Sequence, residues 1–170
     1  MLKVELNASP KGHRLVSTEA IRERGLVHKI CGHRLLAKPT YKSVQIDLEI
    51  HIEENECLGY LNHSCDPNVW VNASTLECIA LRDIQPHEEL NMFYPSTEWE
   101  MIRPFTCHCG TAGCLRLIAG AKYLAVDTLS RYAVNLHIRR AALKCLRGDG
   151  PVAEPIARWS QLGIAVAGGV

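Results

Sequence analysis

Residues 105–118 read Phe-Thr-Cys-His-Cys-Gly-Thr-Ala-Gly-Cys-Leu-Arg-Leu-Ile, a C-x-C-x4-C cluster of Cys107, Cys109 and Cys114 with glycines at 110 and 113 to turn the backbone. Three thiolates in so short a stretch are one ligand short of a closed tetrahedral zinc site. Upstream, Asn62-His63-Ser64-Cys65-Asp66-Pro67-Asn68 offers a fourth thiol in a segment poor for helix or strand and suited to an irregular binding loop. Cys65 is therefore the best candidate to complete the set. Two other readings compete: buried small hydrophobes and a disulfide framework. The flanking glycines and the clustering speak against the first. Against the second, residues 1–20 carry charges throughout and lack an apolar signal-type stretch, so an intracellular (cytoplasmic or nuclear) location is expected, where thiols meet metal more often than each other. His108, between two cysteines, is expected to point away.

The two cysteine-bearing segments resemble the SET-domain family of S-adenosylmethionine-dependent lysine methyltransferases with a post-SET zinc motif. N-H-S-C-x-P-N is that family's first signature, and its second, G-E-E-L-T-x-D-Y, is matched by His87-Glu88-Glu89-Leu90-Asn91-Met92-Phe93-Tyr94. The cysteine cluster follows as the post-SET motif does. The resemblance implies that Cys65 joins Cys107, Cys109 and Cys114 around one structural zinc, that Tyr94 is catalytic, and that Asn62 and His63 contact S-adenosylmethionine. It also implies cofactor contact for Gly12, His13 and Arg14, which stand where the family has a G-x-G loop. Local readings stand beside these: a turn-forming asparagine, a satisfied buried imidazole, and a tyrosine capping the core at a strand end.

Several positions depart from the family pattern. Arg14 replaces the second glycine of the loop, Gly59 stands where many members have arginine, and Phe93 replaces the aspartate before the tyrosine. As an apolar side chain Phe93 is expected to wall the channel. Met92 occupies a place linked in the family to the number of methyls transferred, and Arg116 one where glycine is common.

A lysine amine has an unperturbed pKa of about 10.4, so about one in 2,500 is neutral at pH 7. Freeing its lone pair costs about 4–5 kcal/mol, which a narrow desolvating channel helps to supply. The expected function is methyl transfer to a protein lysine. The alternatives are a SET-like enzyme acting on a small molecule of specialised metabolism and a non-catalytic zinc-stapled interaction module.

The positioning elements follow from pattern. The chain has 170 residues, 47% of them apolar, and a formal net charge of +1. That is one domain with a real core and no overall field toward nucleic acid. No apolar run reaches the about 18 residues of a membrane span. Neither a nucleic-acid partner nor a membrane is therefore expected. Stretches at 26–36, 43–52, 69–72 and 76–82 are rich in Val, Ile and Leu between turn residues, as short strands require. Asp83–His87 reads as a turn and 95–106, with two prolines, as a loop. Leu129, Tyr132, Ala133, Leu136, Ala141 and Leu143 follow helical spacing, predicting one helix over 128–147 with Asp127 as N-cap and Gly148 as stop. A second helix is expected over 155–162, then a frayed tail. Cys31, Cys57, Cys78 and Cys145 are left as buried thiols, and Arg139, Arg140, Lys144 and Arg147 as a solvated face.

The fold class is thus mainly β with a C-terminal helix. The resemblance sharpens it to a SET fold of several small β-sheets with a pseudoknot and a zinc-bound post-SET segment. The expected organisation is a SET domain over 1–104, a post-SET zinc segment over 105–120 and a helical extension over 121–170.

Overall fold

In the computed structural model, residues 1–6 and 12–148 are described. Strands β1 (Leu2–Leu6) and β2 (His13–Ser17) pair antiparallel as one ribbon. Strands β3 (Leu26–Lys29), β4 (Arg34–Leu36), β5 (Val44–Asp47) and β6 (Ile50–Glu53) follow, then β7 (Asn62–His63), β8 (Val69–Asn72), β9 (Glu77–Ala80) and β10 (Asn91–Met92). A second ribbon joins β11 (Phe105–Thr106) to β12 (Leu117–Ile118), and two helices, α1 (Val126–Leu129) and α2 (Leu136–Leu146), follow. The apolar stretches at 26–36 and 43–52 are each two strands, because turn residues at 31–33 and 48–49 interrupt them.

The central sheet has the order β3-β9-β8-β10-β7. Its hairpin shows the two-residue period of a half-buried strand: Val69 and Val71 on β8, with Cys78 and Ala80 on β9, point into the core, and their neighbours do not. β10 lies between β7 and β8 and runs parallel to both, so Met92 pairs with His63 on one side and Val69 on the other. This is the interleaving that draws the two sequence signatures together. Leu15, Ile52, Val71, Ile84, Leu90 and Met92 meet in the principal core behind it. A second apolar cluster, including Phe93, Leu129, Val134 and Ile138, seats the helices.

The single helix expected over 128–147 is broken at 130–135. Asn135 has an extended backbone (φ −72°, ψ 160°), and Asp127 is not the N-cap. The Asn135 amide nitrogen donates to the Val71 carbonyl at 2.8 Å and the Ser96 carbonyl at 3.0 Å, and its oxygen accepts the Ala73 N–H at 2.8 Å. Three bonds, two of them buried, at about 1 kcal/mol each outweigh the tenths of a kcal/mol by which propensity favours continuing a helix. The break also rotates the apolar stripe. His137, Ile138 and Ala141 face the core, whereas Leu136 and Leu143 are exposed. Gly148 does end the helix, with the left-handed φ of +78° favoured there. Of the four remaining cysteines only Cys57 and Cys78 are buried; Cys31 is exposed and Cys145 half-buried. Arg139, Arg140, Lys144 and Arg147 are exposed as expected. The expected helix at 155–162 and the tail lie outside the described residues.

Candidate active site and metal centre

The two signatures are stitched together carboxylate to amide. Glu89 accepts from the Asn62 amide at 2.8 Å, and Glu88 accepts from the Asn68 amide at 3.0 Å. Asn68, fully buried, also donates to the Glu89 carbonyl and accepts the Asn91 N–H, both at 2.8 Å. Burial pushes the Glu88 carboxyl up, but hydrogen bonds from the Gln85 N–H, Asn68 and Arg82 outweigh it and hold the group below its ordinary value. The heptapeptide loop is thus clamped at both ends onto residues just before Tyr94.

His63 links that loop to Tyr94. Its ring is buried: Nδ1 lies 3.2 Å from the Tyr94 backbone nitrogen and Nε2 lies 3.4 Å from Cys65 Sγ. Since Nδ1 accepts the Tyr94 N–H, Nε2 carries the proton and donates to the sulfur. The Tyr94 hydroxyl donates to the Leu61 carbonyl at 2.9 Å. Burial, and then the neighbouring Glu98 carboxylate, push its phenol up to about 12. It is a firm hydrogen-bond donor rather than a base.

A cleft of about 530 Å³ opens beside Tyr94. Asn62, Met92 and His13 line it, as do Tyr60, Lys42 and Phe105. Asn62 spends both amide protons locally, on the His13 carbonyl and Glu89, leaving Oδ1 for the cleft. A Cβ at Gly59 would lie 3.3 Å from the Glu54 carbonyl oxygen and 3.8 Å from Lys42 Cδ, so Lys42 passes beside this position. The Lys42 ammonium stands 5.7 Å from the Tyr41 ring centre and 5.8 Å from that of Tyr60. A cation therefore sits near the place where many family members carry an arginine.

The side chains of Arg14, His63 and Phe93, and Gly12, lie outside the cleft lining. Arg14 turns away from the cleft: its Nη2 pairs with Glu5 at 2.8 Å across the β1–β2 ribbon. With its side chain held there, Arg14 itself has only its backbone to offer a ligand. The His63 ring, spent on Tyr94 and Cys65, is not among the cleft-lining groups. Phe93 does not wall the cleft. It is buried and stacks on Tyr132 with ring centres 3.7 Å apart, because the strand alternation that turns Met92 to one face sends Phe93 to the other. Gly12, exposed with φ +74°, precedes β2 outside the cleft lining.

Behind the cleft the sulfurs of Cys65, Cys107, Cys109 and Cys114 lie within 4.8 Å of one another. Cys65 and Cys107 are 4.0 Å apart. Zinc–sulfur bonds of about 2.3 Å in a tetrahedron place sulfurs about 3.8 Å apart, so this set fits such an ion. Donors surround the sulfurs as a metal thiolate requires: the Leu115 N–H is 3.4 Å from Cys65 and the Thr111 hydroxyl 3.2 Å from Cys109. Burial pushes the Cys107 thiol up to about 11. Around Cys109 burial acts in the same sense, but hydrogen bonds, Thr111 foremost, bring the thiol down to about 6. His108 is exposed and outside the cluster. Arg116, which closes the loop by accepting the Cys107 N–H, has a φ of +64°, the conformation a glycine would supply without strain.

A family model described as the SET domain matches residues 12–95. Methyltransferase flvH of Aspergillus flavus (strain ATCC 200026 / FGSC A1120 / IAM 13836 / NRRL 3357 / JCM 12722 / SRRC 167) is 40% identical over 140 residues, covering 81% of this chain and 79% of that protein. The chain belongs to the SET-domain family. Among solved structures, KRYPTONITE in complex with mCHG DNA and SAH superposes with a TM-score of 0.56 at 25% identity, covering 68% of this chain. The methyltransferase domain of human histone-lysine N-methyltransferase SETMAR has a TM-score of 0.53 at 18% identity over 70% of this chain, a likeness of fold. This SET domain spans 28% of the KRYPTONITE chain and 58% of the SETMAR chain. It has the fold of the SET-domain methyltransferases, mainly β in several small sheets with a short C-terminal helix. No helix among the described residues is long and apolar enough to cross a membrane.

Sequence reasoning missed Lys42, Tyr60, Phe105 and Glu98 as cleft residues. For Lys42 no sequence signal exists, since it arrives from a turn before β5. Glu98 had a weak one: it follows Tyr94 at one-turn spacing, and its N–H bonds the Tyr94 carbonyl at 2.9 Å.

Proposed function

We propose that this SET domain is an S-adenosylmethionine-dependent methyltransferase acting on the primary amine of a protein lysine. The observation that carries the reading is the chain of contacts from Cys65 through His63 to Tyr94 at the edge of the cleft. Bound S-adenosylmethionine supplies a methyl group on a sulfonium, an activated leaving group. The chain's own residues provide position. Tyr60 and Phe105 offer aromatic faces for an adenine ring, Lys42 a cation for a carboxylate, and Asn62 Oδ1 an acceptor for an amino group. Tyr94 holds its hydroxyl at the cleft wall, where it can orient the acceptor nitrogen, and Met92 sets the width beside it. Cys65, Cys107, Cys109 and Cys114 would hold a structural zinc that fixes the heptapeptide loop, with residues 105–120 acting as the post-SET segment.

The second reading is an amine acceptor of small-molecule size. Arg103 and Glu98 in the cleft lining favour it, since they could meet the carboxylate and the ammonium of a small amino acid. Methyl transfer from tritiated S-adenosylmethionine to protein extract and to metabolite extract decides between them. Label in the protein fraction supports the first reading; label confined to small molecules replaces it with the second. A non-catalytic module would bind no S-adenosylmethionine in calorimetry.

A further inference from the structure

We infer that Glu98 is the group that receives the acceptor's ammonium, holding it beside Tyr94 and taking its proton before methyl transfer. The inference rests on reading the Tyr94 cleft as the methyl-transfer site. Glu98 lines that same cleft. Its Oε1 is committed, accepting the Gln45 N–H at 2.8 Å and the Thr97 hydroxyl at 3.2 Å. Oε2 makes no hydrogen bond or ion pair among the described residues. Lys42 and Arg103 also line the cleft, yet no salt bridge joins either of them to Glu98 among the described residues.

Glu98 is half-buried, and a carboxylate partly withdrawn from water without a cation is costly. Capping the Gln45 amide does not explain it, since a glutamine carbonyl would serve there equally well. An ammonium arriving with the substrate does explain it. The other titratable or charged groups facing the cleft are His13, Tyr41, Lys42, Tyr60, Tyr94 and Arg103. None is a second carboxylate, so Glu98 is the one anionic side chain lining the cleft among the described residues.

The proton step balances simply. The ammonium N–H bond breaks, its electron pair stays on nitrogen, and the proton forms an O–H bond at Glu98 Oε2. The acid then releases it to water. Burial lifts the Glu98 carboxyl to about 7, which suits a group that must accept and release a proton near neutrality. The acceptor class is therefore a cationic primary amine, with a neutral hydroxyl isostere excluded.

The test is calorimetry on the zinc-loaded chain. S-adenosylhomocysteine is titrated first. Then n-hexylamine, L-lysine and a peptide containing one lysine are titrated into that complex, with hexan-1-ol as the uncharged control. Glu98→Gln should weaken amine binding about 10- to 100-fold, the range expected for a charge-assisted bond, with hexan-1-ol and S-adenosylhomocysteine unchanged. Glu98→Asp, which keeps the charge, should recover part of the loss and covers the case in which the glutamine variant folds poorly. Amine affinity equal in wild type and Glu98→Gln overturns the inference, as does binding of S-adenosylhomocysteine without any amine. Failure to bind S-adenosylhomocysteine at all removes the reading of the cleft itself and the inference with it.

Discussion

Glu98→Gln should also change how stability depends on pH. The folded carboxyl titrates at about 7 against 4.5 ordinarily, driven by burial and only partly countered by Gln45 and Thr97. That rise corresponds to about 3 kcal/mol. Because the folded value is raised, the folded chain holds a proton between pH 4.5 and 7 that the unfolded chain has lost. Stability therefore falls as pH rises through that window, and the full cost is present above pH 7. A glutamine at this position is neutral throughout and keeps a carbonyl for the Gln45 N–H. The variant should match wild type within about 1 kcal/mol at pH 4.5 and exceed it by about 3 kcal/mol at pH 8. Urea unfolding followed by circular dichroism at the two pH values, with zinc present, reads the difference, and other titrating groups cancel between the two proteins. An equal gap at both pH values would refute the reasoning, since it would mean that Glu98 is solvated enough to ionise normally.

Cys109→Ser should abolish tight zinc binding, measured as metal per chain, and weaken S-adenosylhomocysteine binding in calorimetry. Structural zinc supplies about 10–16 kcal/mol of apparent binding free energy, and the Cys65–His63–Tyr94 contacts pass its loss to the cleft. Unchanged ligand affinity in the metal-free variant would break that coupling. Arg116→Gly should stabilise the chain by about 0.5–1 kcal/mol, because relief of about 1–2 kcal/mol of left-handed strain exceeds the entropy a glycine adds to the unfolded chain; thermal unfolding checks the sign. Asn135→Ala should cost about 2–4 kcal/mol by leaving the Val71 and Ser96 carbonyls and the Ala73 N–H without that partner, read by urea unfolding.

The cysteine set and the two signatures were legible because short spacing carries their chemistry: thiols two and five residues apart can be brought together as one cluster, and an amide-rich loop announces itself. The fold's mainly β character was legible from alternation in Val69–Asn72 and Glu77–Ala80. What was not legible depends on partners far along the chain. Asn135 reads as one more helical residue until the Val71 and Ser96 carbonyls are beside it. Arg14 reads as a cofactor neighbour until β1 offers Glu5. Phe93 reads as a channel wall until Tyr132 stacks on it. Lys42 and Glu98 enter the cleft only because β5 packs against the turn after Tyr94, where the Gln45 N–H meets the Glu98 carboxylate.

The central claim is that Tyr94 stands at a methyl-transfer site, and its most direct test is the rate of tritiated methyl transfer from S-adenosylmethionine by wild type and Tyr94→Phe. If the hydroxyl orients the acceptor nitrogen, wild type labels an amine acceptor and the variant is slower by about 100- to 1,000-fold. Equal rates in the two proteins, or no transfer by wild type to either a protein or a small-molecule amine, would contradict the account.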